Sequence, residues 1–214
     1  KDSGAANCGY CFNGGGMSNI AIIPARGNSV RIPRKNIKPF YGRPIMAYAI
    51  DAIKQSGLFD RIIVSTEDGE IAEIATSLMA EIVIRPGHLA EVNAADCGTQ
   101  EVVRHALLAI AAEDGDVACC VYPATPLLRS GDLSVAHKML VLRPCSYVAA
   151  VATNPFRDIG NFYMGLALQF VNRNPLWNHA TGLYVMPPER AIDINSMDDW
   201  KKAEEMYAKL REEK

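Results

Sequence analysis

A short basic segment offers the clearest chemistry in the sequence. Residues 24–36 read Pro-Ala-Arg-Gly-Asn-Ser-Val-Arg-Ile-Pro-Arg-Lys-Asn, with four basic residues, one glycine and no acidic residue. Basic side chains neutralise phosphate oxygens through charge-assisted hydrogen bonds, and a glycine lets backbone N–H groups approach the same oxygens closely. The segment is therefore predicted to bind a polyphosphate, with four candidate cations: Arg26, Arg31, Arg34 and Lys35.

The plainer interpretation of this segment is a basic loop that only contacts solvent, as most charge runs do. Its position favours an anion site, because it directly follows an apolar stretch with the character of a buried strand. In an open α/β sheet, the loop after the first strand lies at the carboxyl edge, where ligands bind. The spacing matches neither the P-loop nor the dinucleotide-binding G-x-G-x-x-G motif.

The elements that must position this loop alternate between strand-like and helix-like patterns. Short apolar runs predict strands at residues 20–24, 62–65, 82–84, 117–122 and 147–152, and helical periodicity predicts helices at 44–56, 69–78 and 99–113. Pro44 suits a first helical position, Asp68 an N-cap and Gly57 a helix end. This alternation predicts an α/β fold: a Rossmann-like, three-layer arrangement of a mostly parallel sheet with helices on both faces.

The C-terminal part of the chain gives one clear pattern and one irregular one. After Ser196, acidic residues and an apolar stripe predict a helix that packs on the sheet, the stripe being Trp200, Ala203, Met206, Tyr207 and Leu210. Between residues 154 and 180, prolines and glycines interrupt short aromatic stretches, which predicts an irregular lobe.

Composition excludes several classes of protein. The chain has 214 residues, of which 49% are apolar, and a formal net charge of −2, which argues against disorder and against a protein that coats nucleic acid. Its apolar runs are far shorter than the ~20 residues of a membrane helix. Six irregularly spaced cysteines favour a reducing cytoplasm.

The domain prediction is a single unit over residues 17–214. Residues 1–16 are rich in glycine and asparagine and are interpreted as a disordered tail or an expression remnant. Cys8 and Cys11 in this tail form one C-x-x-C pair, but no second pair follows to complete a zinc site, so we expect no metal there.

Several motifs together resemble the CMP-nonulosonic acid synthetases, the acylneuraminate cytidylyltransferase family. The resemblance begins with Ile-Ile-Pro-Ala-Arg-Gly-x-Ser-x-Arg-Ile-Pro-Arg-Lys-Asn at residues 22–36. Further motifs follow in order: Gly57-Leu58-Phe59-Asp60, Val64-Ser65-Thr66-Glu67-Asp68, Arg85-Pro86, Tyr122-Pro123-Ala124-Thr125-Pro126 and Asp193-Ile194-Asn195. The pseudaminic acid branch is the most similar, through Cys-Cys-x-Tyr-Pro at 119–123, Gly-Asn-Phe-Tyr at 160–163 and Asp-Trp-Lys-x-Ala-Glu at 199–204.

The resemblance implies transfer of CMP from CTP to the anomeric hydroxyl of a nine-carbon α-keto acid sugar, with release of pyrophosphate and Mg²⁺ as the cofactor. Cations around the triphosphate and an acid-bound metal suit that chemistry better than a covalent nucleophile would. By this resemblance the nucleotide-binding residues are Arg26, Gly27, Ser29, Lys35, Asn36 and Arg85. The catalytic residues implied are Arg26, Lys35 and Asp193.

The resemblance also implies a metal site and a sugar pocket. Asp193 matches a metal-binding aspartate and Asn195 stands in the place of a second one, in a segment expected at a strand end before a helix. The sugar-facing residues implied are Tyr122, Thr125, Phe162 and Tyr163. Each has a plainer reading: Arg85 as a surface cation, Asp193 as a turn cap, and the aromatic side chains as core.

Three departures from the family pattern bear on activity. Val30 stands where the family usually has lysine, and Asn195 offers a neutral ligand in place of a carboxylate, so metal affinity should fall. Between Phe156 and Arg157 the family's dimerisation arm is absent. A chain without this arm is expected to be monomeric or only weakly associated, and a natural chain that carries the arm is expected to be a homodimer.

The sequence therefore supports a leading hypothesis with alternatives. The leading one is a cytoplasmic cytidylyltransferase that makes a CMP-activated nonulosonic acid, pseudaminic acid or a related sugar, for surface glycans. A sialic acid cytidylyltransferase, an enzyme for another sugar or base, and a catalytically impaired nucleotide-binding relative remain open. The expected partners are CTP and the sugar, without nucleic acid or membrane.

Overall fold

A seven-stranded sheet forms the centre of the molecule in a computed structural model that describes residues 17–90 and 98–212. The strands are β1 (Asn19–Pro24), β2 (Pro39–Phe40), β3 (Arg43–Pro44), β4 (Arg61–Thr66), β5 (Glu81–Ile84), β6 (Val117–Val121), β7 (Tyr147–Thr153), β8 (Phe156–Leu166) and β9 (Thr181–Val185). The helices are α1 (Met46–Ser56), α2 (Gly69–Ser77), α3 (Gly87–Ala90), α4 (Thr99–Ala109), α5 (Ser130–Leu142), α6 (Ala167–Val171) and α7 (Met197–Glu212). A 3₁₀ turn spans Lys35–Ile37.

The strand order of the main sheet is β5-β4-β1-β6-β8-β7-β9, and β2 pairs with β3 in a separate hairpin. Every neighbouring pair in the main sheet is parallel except the two pairs that involve β8, which runs antiparallel to β6 and β7. The predicted mostly parallel α/β sheet is therefore confirmed. Its central strands β1 and β6 are buried along most of their length, as expected for strands covered on both faces.

Two layers of helices cover the two faces of the sheet. On one face, alternate strand residues pack with apolar residues of α1, α2 and α5. On the other face, the intervening strand residues pack with α4 and α6. Cys119 and Cys120 illustrate the alternation, since these neighbours are both fully buried but belong to opposite faces. The predicted helices on both faces are thus confirmed.

The predicted irregular lobe between residues 154 and 180 is wrong for residues 156–171, whereas residues 172–180 are irregular as expected. Most of its first half is β8, an eleven-residue strand inside the sheet, and α6 follows directly. Pro155 lies in the turn before β8, and Gly160, with a φ of 54°, lies where the β7–β8 register shifts. These residues interrupt the sequence pattern because they form a turn and a β-bulge, which a strand tolerates.

The ends of the predicted helices are partly confirmed. Asp68 is the N-cap of α2 and accepts a hydrogen bond from the Ile71 N–H (3.0 Å), and Gly57 ends α1 with a φ of 61°. Pro44 is not the first residue of a helix as predicted. It belongs to β3, and α1 begins two residues later because the β2–β3 hairpin ends there.

The predicted apolar stripe of the last helix is confirmed, but its packing partner is different. Trp200 and Ala203 are buried, and Met206, Tyr207 and Leu210 pack beside them. Their partner is Phe40 of the β2–β3 hairpin rather than the main sheet, and the Phe40 ring makes edge contacts with the rings of Tyr48, Trp200 and Tyr207. This aromatic cluster anchors α7 and the segment before it.

Three further predictions concern the N-terminal tail, the missing arm and membrane-spanning helices. The expected tail with Cys8 and Cys11 lies outside the described residues. Phe156 and Arg157 are consecutive residues of β8 and pair with Thr153 and Ala152 of β7, so a tight hairpin stands at the expected site of the missing arm. Within residues 17–90 and 98–212, no helix is long and apolar enough to cross a membrane.

Candidate active site

A cavity of about 450 Å³ opens at the carboxyl edge of the parallel strands. Its lining comes from the loop after β1, the residues that follow β5 and β6, strand β8 and the segment before α7. Its polar lining residues are Arg26, Ser29, Arg31, Lys35, Asn36, Arg85, Thr99, Tyr122, Asp158, Tyr163, Asp193 and Asn195. The sheet thus brings together residues that are far apart in the sequence, at the edge where α/β folds bind ligands.

Cations line the wall formed by the loop after β1. The Lys35 Nζ donates a hydrogen bond to the backbone carbonyl of Ile194 (2.8 Å), which joins the basic loop to the segment before α7. Burial lowers the pKa of Lys35, and the nearby Arg31 and Arg26 lower it further against the opposing effect of Asp193. These charges repel one another, so an anion bound between them would be stabilised.

The loop after β1 is held by its own polar residues. The Asn36 side chain is buried and donates to the Arg26 carbonyl (2.8 Å), and the Gly27 N–H donates to Glu67 Oε1 (2.7 Å). A Cβ on Gly27 would lie 2.3 Å from Asp68 Oδ2, so only glycine allows this close approach. Gly27 therefore packs closely against Asp68 and is not among the residues that line the cavity.

Arg34 does not belong to the cationic wall that the sequence predicted. Its guanidinium forms ion pairs with Asp68 and Glu70 of the α2 region and does not line the cavity. The physical reason is that residue 34 has a φ of 55°, in the left-handed region, where the chain turns away from the cavity. Of the four predicted cations, the structure thus brings three to the cavity, namely Arg26, Arg31 and Lys35.

Arg85 lines the cavity directly after β5. It is 5% exposed, and its guanidinium donates to the Ser65 carbonyl (2.6 Å) and lies 3.7 Å from Glu67 Oε2. The alternative of a surface cation is therefore excluded. A buried guanidinium held in the lining of a cavity is suited to hydrogen bonding with a planar polar group.

Asp193 and Asn195 meet in the segment before α7, close to Lys35 and Arg31 of the basic loop. The Asn195 side-chain amide donates a hydrogen bond to Asp193 Oδ2. Burial raises the pKa of Asp193, and the Asn195 and Lys35 side chains only partly oppose that rise. The expected strand end is absent, because β9 ends at Val185 and residues 191–195 are extended coil before α7.

The sugar-facing residues predicted from the sequence separate into two pairs. Tyr122 and Tyr163 line the cavity, with Tyr122 following β6 and Tyr163 in β8. Phe162 is fully buried on the opposite face of the sheet, since neighbouring strand residues alternate. Thr125 is also buried, and its hydroxyl donates to the Tyr122 carbonyl (2.8 Å), so the structure brings neither of these two side chains to the cavity.

Asp158 is a cavity residue that the sequence interpretation missed. Its Oδ1 accepts the Gly160 N–H (2.8 Å) and its Oδ2 accepts the Tyr163 hydroxyl. The irregular pattern hid it, because residues five apart in a regular strand face opposite sides and only the bulge brings them together. One signal was available: Asp158 is the sole acid between residues 154 and 180.

Comparison with known proteins identifies relatives that span most of the chain. The model of the cytidylyltransferase family matches residues 20–157. A pseudaminic acid cytidylyltransferase of Campylobacter jejuni is 28% identical over 227 residues, which cover 89% of this chain and 97% of that protein. A Helicobacter pylori protein described as pseudaminic acid cytidylyltransferase and UDP-2,4-diacetamido-2,4,6-trideoxy-beta-L-altropyranose hydrolase is 35% identical over 83% of this chain and 40% of its own length.

Solved structures agree on the fold. A CMP:2-keto-3-deoxy-manno-octonic acid synthetase complexed with CTP superposes with a TM-score of 0.71 at 11% identity, covering 91% of this chain and 100% of that one. A 4-diphosphocytidyl-2C-methyl-D-erythritol synthase superposes with a TM-score of 0.68 at 12% identity, covering 90% and 100%. Because the family model extends from β1 to the start of β8 and so includes the basic loop and the buried arginine, the chain belongs to the cytidylyltransferase family.

Proposed function

We propose that this chain transfers CMP from CTP to the anomeric hydroxyl of a nonulosonic acid, with pseudaminic acid or a close relative as the acceptor, and releases pyrophosphate. The observation that carries the proposal is that the cavity brings three cations of the loop after β1 together with the carboxylates of Asp158 and Asp193. The nearly full-length likeness to pseudaminic acid cytidylyltransferases supports this acceptor class.

In this proposal the cationic wall binds the triphosphate. Arg26, Arg31 and Lys35 contact the phosphate oxygens, and Ser29 adds a hydroxyl donor beside them. These charges sit in a partly buried cavity, where attraction to a phosphate is stronger than in water. The same contacts stabilise the negative charge that builds on the departing pyrophosphate.

The cytosine ring lies toward Arg85 and Tyr122. The Arg85 guanidinium is held by Ser65 and Glu67, so it is positioned before the nucleotide arrives. A guanidinium fixed in this way favours a base whose acceptor atoms match the direction of its N–H groups. We therefore assign the preference for CTP mainly to this residue.

Asp193 and Asn195 are the residues that would hold the divalent metal. Their oxygen donors suit Mg²⁺, which is commonly bound by one or two carboxylates together with substrate phosphates. Among the described residues there is no group of three or more histidine, cysteine or acidic side chains that could hold a metal ion. When bound, Mg²⁺ supplies Lewis-acid stabilisation of phosphate charge.

The sugar occupies the part of the cavity bounded by β8. Tyr122 and Tyr163 offer hydroxyls to the polar groups of the sugar, and their rings contact each other edge to face. The Tyr122 hydroxyl also hydrogen-bonds the Thr99 hydroxyl at the start of α4. These contacts orient the acceptor, which is the main catalytic need in a transfer without a covalent intermediate.

The proposed cellular setting follows from the residues and the reaction. Cys119, Cys120 and Cys145 are free thiols, which favours the reducing cytoplasm. The partners are CTP and the sugar, with no nucleic acid or membrane involved. A homodimer is proposed only for a chain that carries the arm expected between Phe156 and Arg157.

A substrate panel tests the proposal. Pyrophosphate release is measured with CTP, UTP, ATP and GTP, each combined with pseudaminic, legionaminic, N-acetylneuraminic or 3-deoxy-manno-octulosonic acid. We expect release with CTP and a nine-carbon acid, fastest with pseudaminic acid. Fastest release with N-acetylneuraminic acid would establish the sialic acid alternative, and release with another nucleotide would overturn the assignment of Arg85.

A catalytically impaired relative is the second candidate, and two residues favour it. Val30 is 68% exposed and adds no charge to the cavity, and Asn195 replaces a carboxylate. This candidate predicts CTP binding without pyrophosphate release for every acceptor in the panel. Binding by calorimetry combined with the release assay separates the two candidates.

A further inference from the structure

We propose that Asp158 is the proton acceptor for the sugar hydroxyl that attacks CTP. This inference rests on the proposed function and assigns its acid–base step to a residue of β8. It starts from the bulge in β8, which turns the Asp158 carboxylate toward the sugar part of the cavity.

The backbone of β8 fixes the position of this carboxylate. Pairing with β7 moves from Tyr163 opposite Ala149 to Asp158 opposite Val151, so the residues between them bulge out of the register. Gly160 takes a φ of 54° in the bulge and donates its N–H to Asp158 Oδ1. Bulges often re-aim a side chain next to an active site.

The Asp158 carboxylate keeps free acceptor capacity toward the cavity. Its Oδ1 accepts one N–H and its Oδ2 accepts the Tyr163 hydroxyl, whereas two carboxylate oxygens offer about four lone-pair sites. The residue is exposed to the cavity opening. A sugar hydroxyl can therefore donate to Asp158 without displacing either existing hydrogen bond.

Other lining groups are less suited to accept the proton. Burial and neighbouring acidic groups raise the pKa of Tyr163, and burial raises the pKa of Tyr122, so both phenols stay protonated. Lys35 donates to Ile194 and faces the triphosphate as a cation. Among the described residues that line the cavity there is no histidine.

Asp193 is the other carboxylate among the described residues that line the cavity, and its surroundings differ from those of Asp158. It is more buried than Asp158, its Oδ2 accepts the Asn195 amide, and Lys35 lies near it. Asp158 accepts the Tyr163 hydroxyl and interacts electrostatically with Asp193. In the proposed function, Asp193 therefore faces the phosphates beside Lys35, and Asp158 faces the sugar beside Tyr163.

The step balances as a single displacement. The sugar O–H bond breaks, its proton moves to an Asp158 oxygen, and the sugar oxygen forms a bond to the α-phosphorus of CTP. The bond between that phosphorus and the bridging oxygen breaks, and its electron pair leaves with pyrophosphate. Asp158 then returns its proton to solvent through the open side of the cavity.

The test compares the full-length native chain with Asp158→Asn, and with Asp114→Asn as a matched control. Asp114 is exposed and precedes β6, at the sheet edge opposite the cavity. We expect Asp158→Asn to lower kcat by about 100-fold or more, the usual range for a lost general base. KM for the sugar and the CTP affinity measured by calorimetry should stay near native, and Asp114→Asn should match the native chain throughout.

A Mg²⁺ series and a second variant make the test decisive. Recovery of Asp158→Asn at higher Mg²⁺ would make Asp158 a metal ligand and overturn the proposal, as would an unchanged kcat or a raised sugar KM alone. Tyr163→Phe keeps the carboxylate but removes its donor, so we expect a smaller loss of kcat; a larger loss than in Asp158→Asn would overturn the assignment. If the native chain releases no pyrophosphate, both the proposed function and this inference are wrong. If the native chain and Asp158→Asn release pyrophosphate at equal rates, only the inference about Asp158 is wrong.

Discussion

Two pairs of opposite charges in this molecule behave in contrasting ways. Asp132 in α5 and Arg190 in the loop after β9 form a buried ion pair, 3% and 6% exposed. The Asp132 oxygens accept hydrogen bonds from both Arg190 nitrogens, from the Tyr184 hydroxyl (2.5 Å) and from the Arg129 N–H (2.8 Å). Burial alone would raise the pKa of Asp132, but these donors lower it overall.

Lys35 and Asp193 in the cavity lack that compensation. Burial lowers the pKa of Lys35 and raises the pKa of Asp193, although each lies near the other. The difference is in the number of hydrogen bonds each charge receives. In an ion pair that stabilises the fold, the protein supplies hydrogen-bond partners for both charged groups. Charged groups in a binding site keep hydrogen-bonding positions that a substrate can occupy.

The largest expected effect comes from breaking the buried pair. Arg190→Met would leave the Asp132 charge buried and unpaired, and we expect a loss of about 3–5 kcal/mol in the free energy of unfolding. Urea denaturation measures it. The matched change Lys35→Met removes a charge that is poorly compensated, so it should cost far less stability, and an equal loss in both variants would contradict the contrast.

The dependence of the unfolding free energy on acid pH tests the same contrast. The pKa of Asp132 is lower in the folded chain than the value of about 3.9 in an unfolded one, so the stability from this carboxylate is complete above that value. It is lost as the pH falls through the folded pKa. Asp132→Asn should lack this component, so we expect a flatter dependence of unfolding free energy on pH in the acid range, and an identical slope in both proteins would refute it.

A smaller effect is expected at the support of the basic loop. Gly27→Ala would place a Cβ 2.3 Å from Asp68 Oδ2 and force the loop or the α2 cap to move. We expect a loss of about 1–3 kcal/mol in stability, the usual cost of overpacking. Gly69→Ala is the control, since no atom lies within 4 Å of its Cβ, and urea denaturation that ranks the two variants equally would contradict the close approach.

The smallest expected effect concerns the metal. Asn195→Asp adds a second hard carboxylate where the amide now contacts Asp193, so a severalfold lower Mg²⁺ concentration should give half-maximal turnover. The gain should vanish when Asp193→Ala is combined with it. An Mg²⁺ titration that is the same with Asn or Asp at position 195 would mean that the metal binds elsewhere.

The sequence predicted the regular parts of the fold well for a physical reason. Buried parallel strands read as apolar runs, and helices beside them keep a clear period, so β1, β4, β5, β6 and β7 were found with short errors at their ends. β8 was missed because its bulge at Gly160 breaks the alternation on which strand prediction depends. The position of β8 is set by its pairing with β6 and β7, and the local sequence pattern does not reveal that pairing.

The candidate site was predictable where one local segment supplies it. Arg26 and Lys35 line the cavity as expected, because the loop after β1 must lie at the sheet edge. Arg34 was misplaced because its partners Asp68 and Glu70 lie more than thirty residues away in the sequence. Asp158 was missed for a different reason: it lies only five residues from Tyr163, but a β-bulge that the sequence pattern did not reveal brings the two side chains together.

The most direct test of the cavity as the nucleotide site is a calorimetric titration of CTP. Arg26→Ala removes a cation from the cavity, and we expect it to weaken CTP binding by about 1.5–3 kcal/mol, a loss of roughly ten- to a hundredfold in affinity. Arg34→Ala removes a cation from the same loop whose partners are Asp68 and Glu70, and it should leave the affinity near native. Native affinity in Arg26→Ala, or an equal loss in both variants, would contradict the account.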